Sequence, residues 1–122
     1  MLYLGGVGTF DRQPAPAAIS ATATLTVAQL LSAIITTSGT TAKTFTLPTG
    51  TLTDAGITAP ALPVNGCFDW AVINTGTSSG AVTITAGTAH TLVGSATVAI
   101  GTSAGFRTRN TAANTFVTYR VR

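Results

Sequence analysis

The stretch CFDWAVINTG, residues 67 to 76, alternates large apolar side chains with smaller or polar ones. Phe68, Trp70 and Val72 share one face while Asp69, Ala71 and Ile73 take the other, the period of two that a pleated strand requires. The same period recurs in KTFTL (Phe45, Leu47), AVTITA (Val82, Ile84), SATVAI (Ala96, Val98, Ile100) and TFVTYRV (Val117, Tyr119, Val121). Turn signals separate these runs at Ser38-Gly39, Asn65-Gly66, Asn74 to Gly80, Ala86-Gly87, Val93-Gly94, Gly101 and Asn110 to Asn114. Eight or so short strands at this spacing predict an all-β domain, an antiparallel, jelly-roll-like β-sandwich. On that reading GAVTITAGTAHTLVGSATVAIG, residues 80 to 101, is a hairpin and its continuation.

Helical periodicity is confined to two segments. In TVAQLLSAI (Thr26 to Ile34), Thr26 is placed as an N-cap before Val27, Leu30, Leu31 and Ile34, which predicts a short helix over one end of the sandwich. TLTDAGI (Thr51 to Ile57) reads as a single turn stopped by Gly56. Residues 1 to 18 differ in character, with GGVG and DRQPAPAA too rich in Gly and Pro for a core strand, yet carrying Leu2, Tyr3, Leu4 and Phe10 as apolar anchors. They predict an extended N-terminal docking arm ahead of a β-sandwich domain at 19 to 122.

Composition narrows the function. Charged residues are 7% of the 122, and about a fifth of the positions are Thr; an ordinary soluble chain carries roughly 25% charge. Thr favours a strand by its β-branch and wets the outer face by its hydroxyl. With so little charge and a positive mean hydropathy, much of the surface is expected to be covered in an obligate oligomer. No apolar run nears the roughly 18 residues of a membrane span, and MLYLGGVGTFDRQ lacks the pattern of a secretory signal, so residence in a cytoplasm is expected. Cys67, the single cysteine, excludes a disulfide framework within one chain and reads as a small apolar filler.

The chemistry-bearing residues are few. His90 is the single histidine, and no G-x-S-x-G elbow surrounds any serine, so a triad with Asp69 is not expected and His90 reads as a surface or turn residue. Three copies of His90 around a trimer axis are the one route to a metal, and no metal or other cofactor is predicted. Arg107 and Arg109 in GFRTRN, with Arg120 and Arg122 in TYRVR, form a basic outer face if Phe106 and Thr108 point inward together with Val117 and Tyr119. Phe116 would be the lone aromatic on that face, which lacks the stacking platform of a single-strand binder, so nucleic acid is not an expected partner.

The block TLTVAQLLSAIITTSGTTAKTFTLPTGTLTDAGI and the block FDWAVINTGTSSGAVTITAGTAHTLVGSATVAIGTSAGFRTRNTAANTFVTYRV resemble a group of small virion proteins of tailed bacteriophages, the capsid decoration (cement) proteins and head-fibre domains. The most specific pieces are FDWAVIN, VTITAGT…TLVG and GFRTRNTAANTFVTYRV, and the likeness covers about residues 22 to 121. It implies a non-enzymatic structural protein: a homotrimer on the exterior of a phage capsid, assembled in the host cytoplasm, with the major capsid protein as partner. The alternative is the distal head of a head fibre or tail fibre that binds a host surface. The arm falls outside the resemblance.

Overall fold

The computed structural model describes residues 12–58 and 60–122. Among these described residues ten strands and two short helices follow one another as β1 (Ala17–Ala18), β2 (Ala23–Thr24), α1 (Val27–Leu31), β3 (Ile34–Thr37), β4 (Lys43–Thr46), α2 (Gly50–Gly56), β5 (Cys67–Asn74), β6 (Val82–Thr85), β7 (His90–Val93), β8 (Thr97–Val98), β9 (Ser103–Ala112) and β10 (Thr115–Arg120). They form a six-stranded sheet, in the order β1-β3-β5-β9-β10-β7, and a four-stranded sheet, in the order β2-β4-β6-β8. Inward-facing residues of both sheets meet in one core. Ile35, Trp70, Val72, Ala104 and Phe106 come from the first sheet, and Phe45, Val82, Ile84 and Val98 from the second.

The expected all-antiparallel arrangement is corrected to a mixed one. β1, β3 and β5 run parallel in the first sheet, and β2, β4 and β6 run parallel in the second. Parallel neighbours need a crossover, and here each crossover is a strand of the opposite sheet. From β1 to β9 the chain alternates between the sheets, so the first six strands are three stacked rungs of a flattened coil. β8, β9 and β10 then close the two sheets antiparallel, and β7 pairs parallel to β10 at the far edge. The predicted hairpin of residues 80 to 101 does not form, because β6 and β7 belong to different sheets.

The rungs return through the helices at one end. Thr26 caps α1 in a reciprocal capping box with Gln29, and Ala33 in the left-handed region turns the chain directly into β3, so the predicted helix stops at Leu31 and Ile34 is already strand. Thr49 caps α2. The two helices touch where Gly56 meets Val27, since a Cβ on that glycine would stand 2.8 Å from Val27 Cγ1. The polar turns of the coil gather at the other end, at residues 19–22, 38–42 and 75–81.

The expected arm ends earlier than residue 18. Ala17 and Ala18 are the edge strand of the six-stranded sheet, and the Gln13 side chain donates to the Ser32 carbonyl at 2.6 Å. Leu2, Tyr3, Leu4 and Phe10 lie outside the described residues.

Gly50 opens α2 directly against the β9–β10 turn, where a Cβ would lie 2.0 Å from the Asn114 carbonyl oxygen and 2.7 Å from that of Ala89. Helix propensity alone would make Gly50→Ala stabilising. The backbone contact reverses the sign, and the substitution is expected to cost about 1–3 kcal/mol or more in chemical denaturation.

Candidate functional site

The outer face of the six-stranded sheet and the inner face beneath it hold nearly all the chemistry. Which residue goes to which face is decided at the β9–β10 turn. Ala112 pairs with Thr115, but the next pair is Asn110 with Phe116, so Thr111 is an extra residue on β9. This bulge moves the register by one, and a one-residue slip sends every following side chain to the other face. Val117 therefore stands opposite Arg109 and Tyr119 opposite Arg107, on the outside, while Phe116 and Thr118 join Phe106 and Thr108 inside.

The predicted stripe of four arginines is corrected accordingly. Arg107, Arg109 and Arg122 share the outer face, whereas Arg120 stands opposite Phe106 on the inner side and reaches the Thr97 carbonyl of the other sheet at 2.5 Å. The outer arginines are also largely engaged. Arg107 grips Asp69 through Nε at 2.6 Å and Nη2 at 3.0 Å, and this hydrogen bonding holds the Asp69 carboxyl below its usual range against the opposing effect of burial. Both side chains are about half exposed, so solvent screening keeps the pair's contribution to stability minor. Arg109 donates to the Tyr119 hydroxyl at 2.6 Å and lies 5.9 Å from its ring centroid, while its buried Nε has no partner. Arg122 covers Gly105, where a Cβ would come within 2.6 Å of its guanidinium.

Around these ions the face is apolar. Ile73, Val93 and Val121 are exposed, and Ile34, Ala71, Val117 and Tyr119 are half-buried. Cys67 opens β5 on this face and is exposed, so its expected role as a buried filler is corrected.

His90 is not a surface or turn residue. It is fully buried on β7, packed at 5.9 Å from the Phe116 ring. It sits in a continuous hydrogen-bonded chain whose direction is fixed by its ends. The Trp70 indole, which can only donate, reaches Thr108 Oγ1 at 2.9 Å; Thr108 lies 2.8 Å from Thr118 Oγ1; Thr118 lies 2.7 Å from His90 Nε2; and His90 Nδ1 lies 2.9 Å from the Pro48 carbonyl, which can only accept. Nδ1 must therefore carry the proton, and Nε2 must accept from Thr118. Both nitrogens are committed, so three copies of His90 cannot meet a metal without dismantling the core. Among the described residues no three His, Cys, Asp or Glu side chains gather in a metal-binding group, and His90 and Asp69 bond to different partners. No helix among the described residues is long and apolar enough to cross a membrane.

Sequence reasoning set Thr108 inward but put Thr118 on the outer face, and it missed the buried hydrogen bond between them. Thr108 and Thr118 each lie within a clear alternation, and the signal for them was a hydroxyl at an inward position beside a histidine and a tryptophan on neighbouring strands. Comparison with protein-family models, with curated proteins and with solved structures gives no match.

Burial pushes the His90 pKa below its ordinary 6.5, with the Pro48 hydrogen bond acting the other way. The unfolded chain then takes up a proton before the folded one does. Stability is thus at its full value above about pH 6.5 and falls as pH drops, by at most about 1.4 kcal/mol per pH unit, until the folded histidine itself protonates. Denaturant midpoints between pH 7.5 and pH 5 should show this decline, and His90→Gln should flatten it. Thr118→Val should cost about 1–3 kcal/mol at neutral pH by leaving His90 Nε2 and the Thr108 hydroxyl without their partner. Cys67 should react with a thiol reagent in the folded state, without waiting for unfolding, and Cys67→Ser should leave stability unchanged within about 0.5 kcal/mol.

Proposed function

We propose that this chain is a structural virion protein, a homotrimeric decoration (cement) protein that binds and stabilises a bacteriophage capsid. The observation that carries the reading is the outer face of the six-stranded sheet. It combines exposed Ile73, Val93 and Val121 with ions that already hold partners on the same face, Arg107 with Asp69 and Arg109 with Tyr119. Covering this face with a neighbour keeps the Arg107–Asp69 pair intact and leaves Arg109 and Arg122 to be met by acceptors on the neighbour, the pairing that a covered charge requires. A chain with 7% charged residues supports the same reading, because a covered face relieves its poor solubility.

In this reading the two-sheet module is a β-sandwich-like building block, its trimer is closed by three-fold symmetry, and the N-terminal arm attaches to the capsid. Stabilisation follows from linkage, since a trimer that binds only the assembled lattice favours that lattice by its own binding free energy. Three attachment points add avidity.

Light scattering on the purified protein should give the mass of three chains, and Ile73→Lys should shift it toward one while leaving the far-ultraviolet circular dichroism unchanged. A wild-type monomer at micromolar concentration that also decorates as a monomer would overturn the trimer. Deleting residues 1 to 12 should leave a folded trimer that co-sediments poorly with undecorated heads. Copy number separates decoration from a fibre head: hundreds of chains per virion fit the first, a handful the second.

A further inference from the structure

The stacked turns of the coil are not equally close. Between the second and third, residues 38–42 and 75–81, backbone lies on backbone: a Cβ on Gly80 would stand 2.8 Å from the Gly39 carbonyl oxygen, and Ser79 bonds the Thr40 carbonyl. The first turn is different. Ala17 faces Ile35 before it and Ala23 faces Phe45 after it, so the offset between the rungs grows from 18 to 22 residues. Measured between paired positions, from Ala18 to Ala23 against Thr36 to Phe45, the first connection is four residues shorter than the second and cuts the corner.

The shortcut leaves a pocket of about 280 Å³ lined by Ser20, Ala21, Thr22, Thr41, Ala42 and Lys43. Five of these are exposed, and Lys43 is 5% exposed. The buried ammonium makes one hydrogen bond, to the Ser38 carbonyl at 2.8 Å, although it has three N–H donors. Among the described residues it makes no ion pair: Asp69 is held by Arg107, and Asp54 accepts from the Asn114 amide. A buried cation without a counter-ion is costly, and here Lys43 is one of the residues that line an open pocket rimmed by hydroxyls.

We propose that this pocket binds a carboxylate, with Lys43 as its counter-ion and the hydroxyls of Ser20, Thr22 and Thr41 at its rim. A single negative charge matches the single ammonium, whereas a phosphate dianion would leave an excess charge partly buried. The chemistry is that of a free small carboxylate or of an Asp or Glu side chain on a partner protein. It is independent of the trimer reading, since the pocket lies among the coil turns and not on the outer sheet face.

The test is titration of the isotope-labelled full chain with sodium acetate against sodium chloride at constant ionic strength, followed by amide shifts of residues 20–22 and 41–43. Saturable shifts confined to these residues are expected. Lys43→Met should weaken them at least about tenfold. Ala42→Leu, which fills the pocket from an exposed position, should do the same and covers the case in which the Lys43 variant fails to fold. A short blocked peptide with one Glu, compared with its Gln counterpart, separates the sources: tighter binding than acetate assigns the site to a protein side chain, and binding no tighter assigns it to a small carboxylate. Absence of saturation to about 100 mM, beyond even millimolar affinity, or an unchanged response in Ala42→Leu, would show that the ammonium only staples its own turn and overturn the proposal.

Discussion

The buried hydrogen-bonded chain from Trp70 to Pro48 ties together most of the six-stranded sheet. It joins β5, β9, β10 and β7, one group from each, and ends on the segment that leaves β4 for α2. The terminal groups allow one direction of donation, so every hydroxyl and the imidazole tautomer are set. A slip of one residue in any of the four strands would leave buried donors or acceptors unpaired, at about 1–3 kcal/mol each. The apolar contacts around it, such as the Trp70–Phe106 stack with centroids 4.5 Å apart, favour burial but tolerate sliding. Hydrophobic packing thus supplies the drive and the polar chain supplies the register.

The bulge at Thr111 and the polar chain depend on one another. With Ala112 opposite Thr115, an uninterrupted ladder would have continued by setting Asn110 opposite Val117 and Thr108 opposite Tyr119. Thr118 would then point outward, and His90 would lose its partner. The extra residue brings Thr118 beside Thr108, and by the same movement sends Tyr119 outside to Arg109. Core chemistry and surface chemistry are set by one irregularity.

The positions of β4, β5, β6, β8 and β10 were legible because alternation within them is strong, and the start of α1 was legible because Thr26 precedes a short apolar-periodic run; β1, β2 and β3 were not, and the cap of α2 at Thr49 lay two residues ahead of the turn read at Thr51. Strand direction was not legible either, since a half-buried parallel strand alternates like an antiparallel one. The coil did leave a trace: ITTSGTT with KTFTL repeats as VINTGTS with VTIT, and Ile35 to Thr37 stand opposite Val72 to Asn74. Unequal turn lengths blur it, the offset between these rungs growing from 37 to 39 residues across the turn. The arginine stripe failed for a different reason. A bulge in a Thr/Ala/Asn turn has no distinctive residue, and only a register decides which side of a sheet an arginine occupies. His90 was misplaced because its flanking Ala89 and Thr91 are exposed while His90 itself points inward, as alternation on a short strand allows.

The edges of the two sheets bear on how such a chain associates. β1, β2 and β8 are two residues long, and β7 has four. Unpaired backbone at a sheet edge is a template for another strand, but edges this short present few groups to pair. Lengthening the sheet by adding a neighbour's strand therefore gains little here, and the larger gain lies in covering a face. The outer face of the six-stranded sheet has the apolar side chains and the Arg107–Asp69 pair to be covered, with Arg109 and Arg122 there for a neighbour's acceptors, while the coil turns, rich in hydroxyls and holding Lys43, remain polar. On the proposed reading, association through faces leaves the turns open to a second partner, and an arm that attaches elsewhere does best in a groove rather than along an edge.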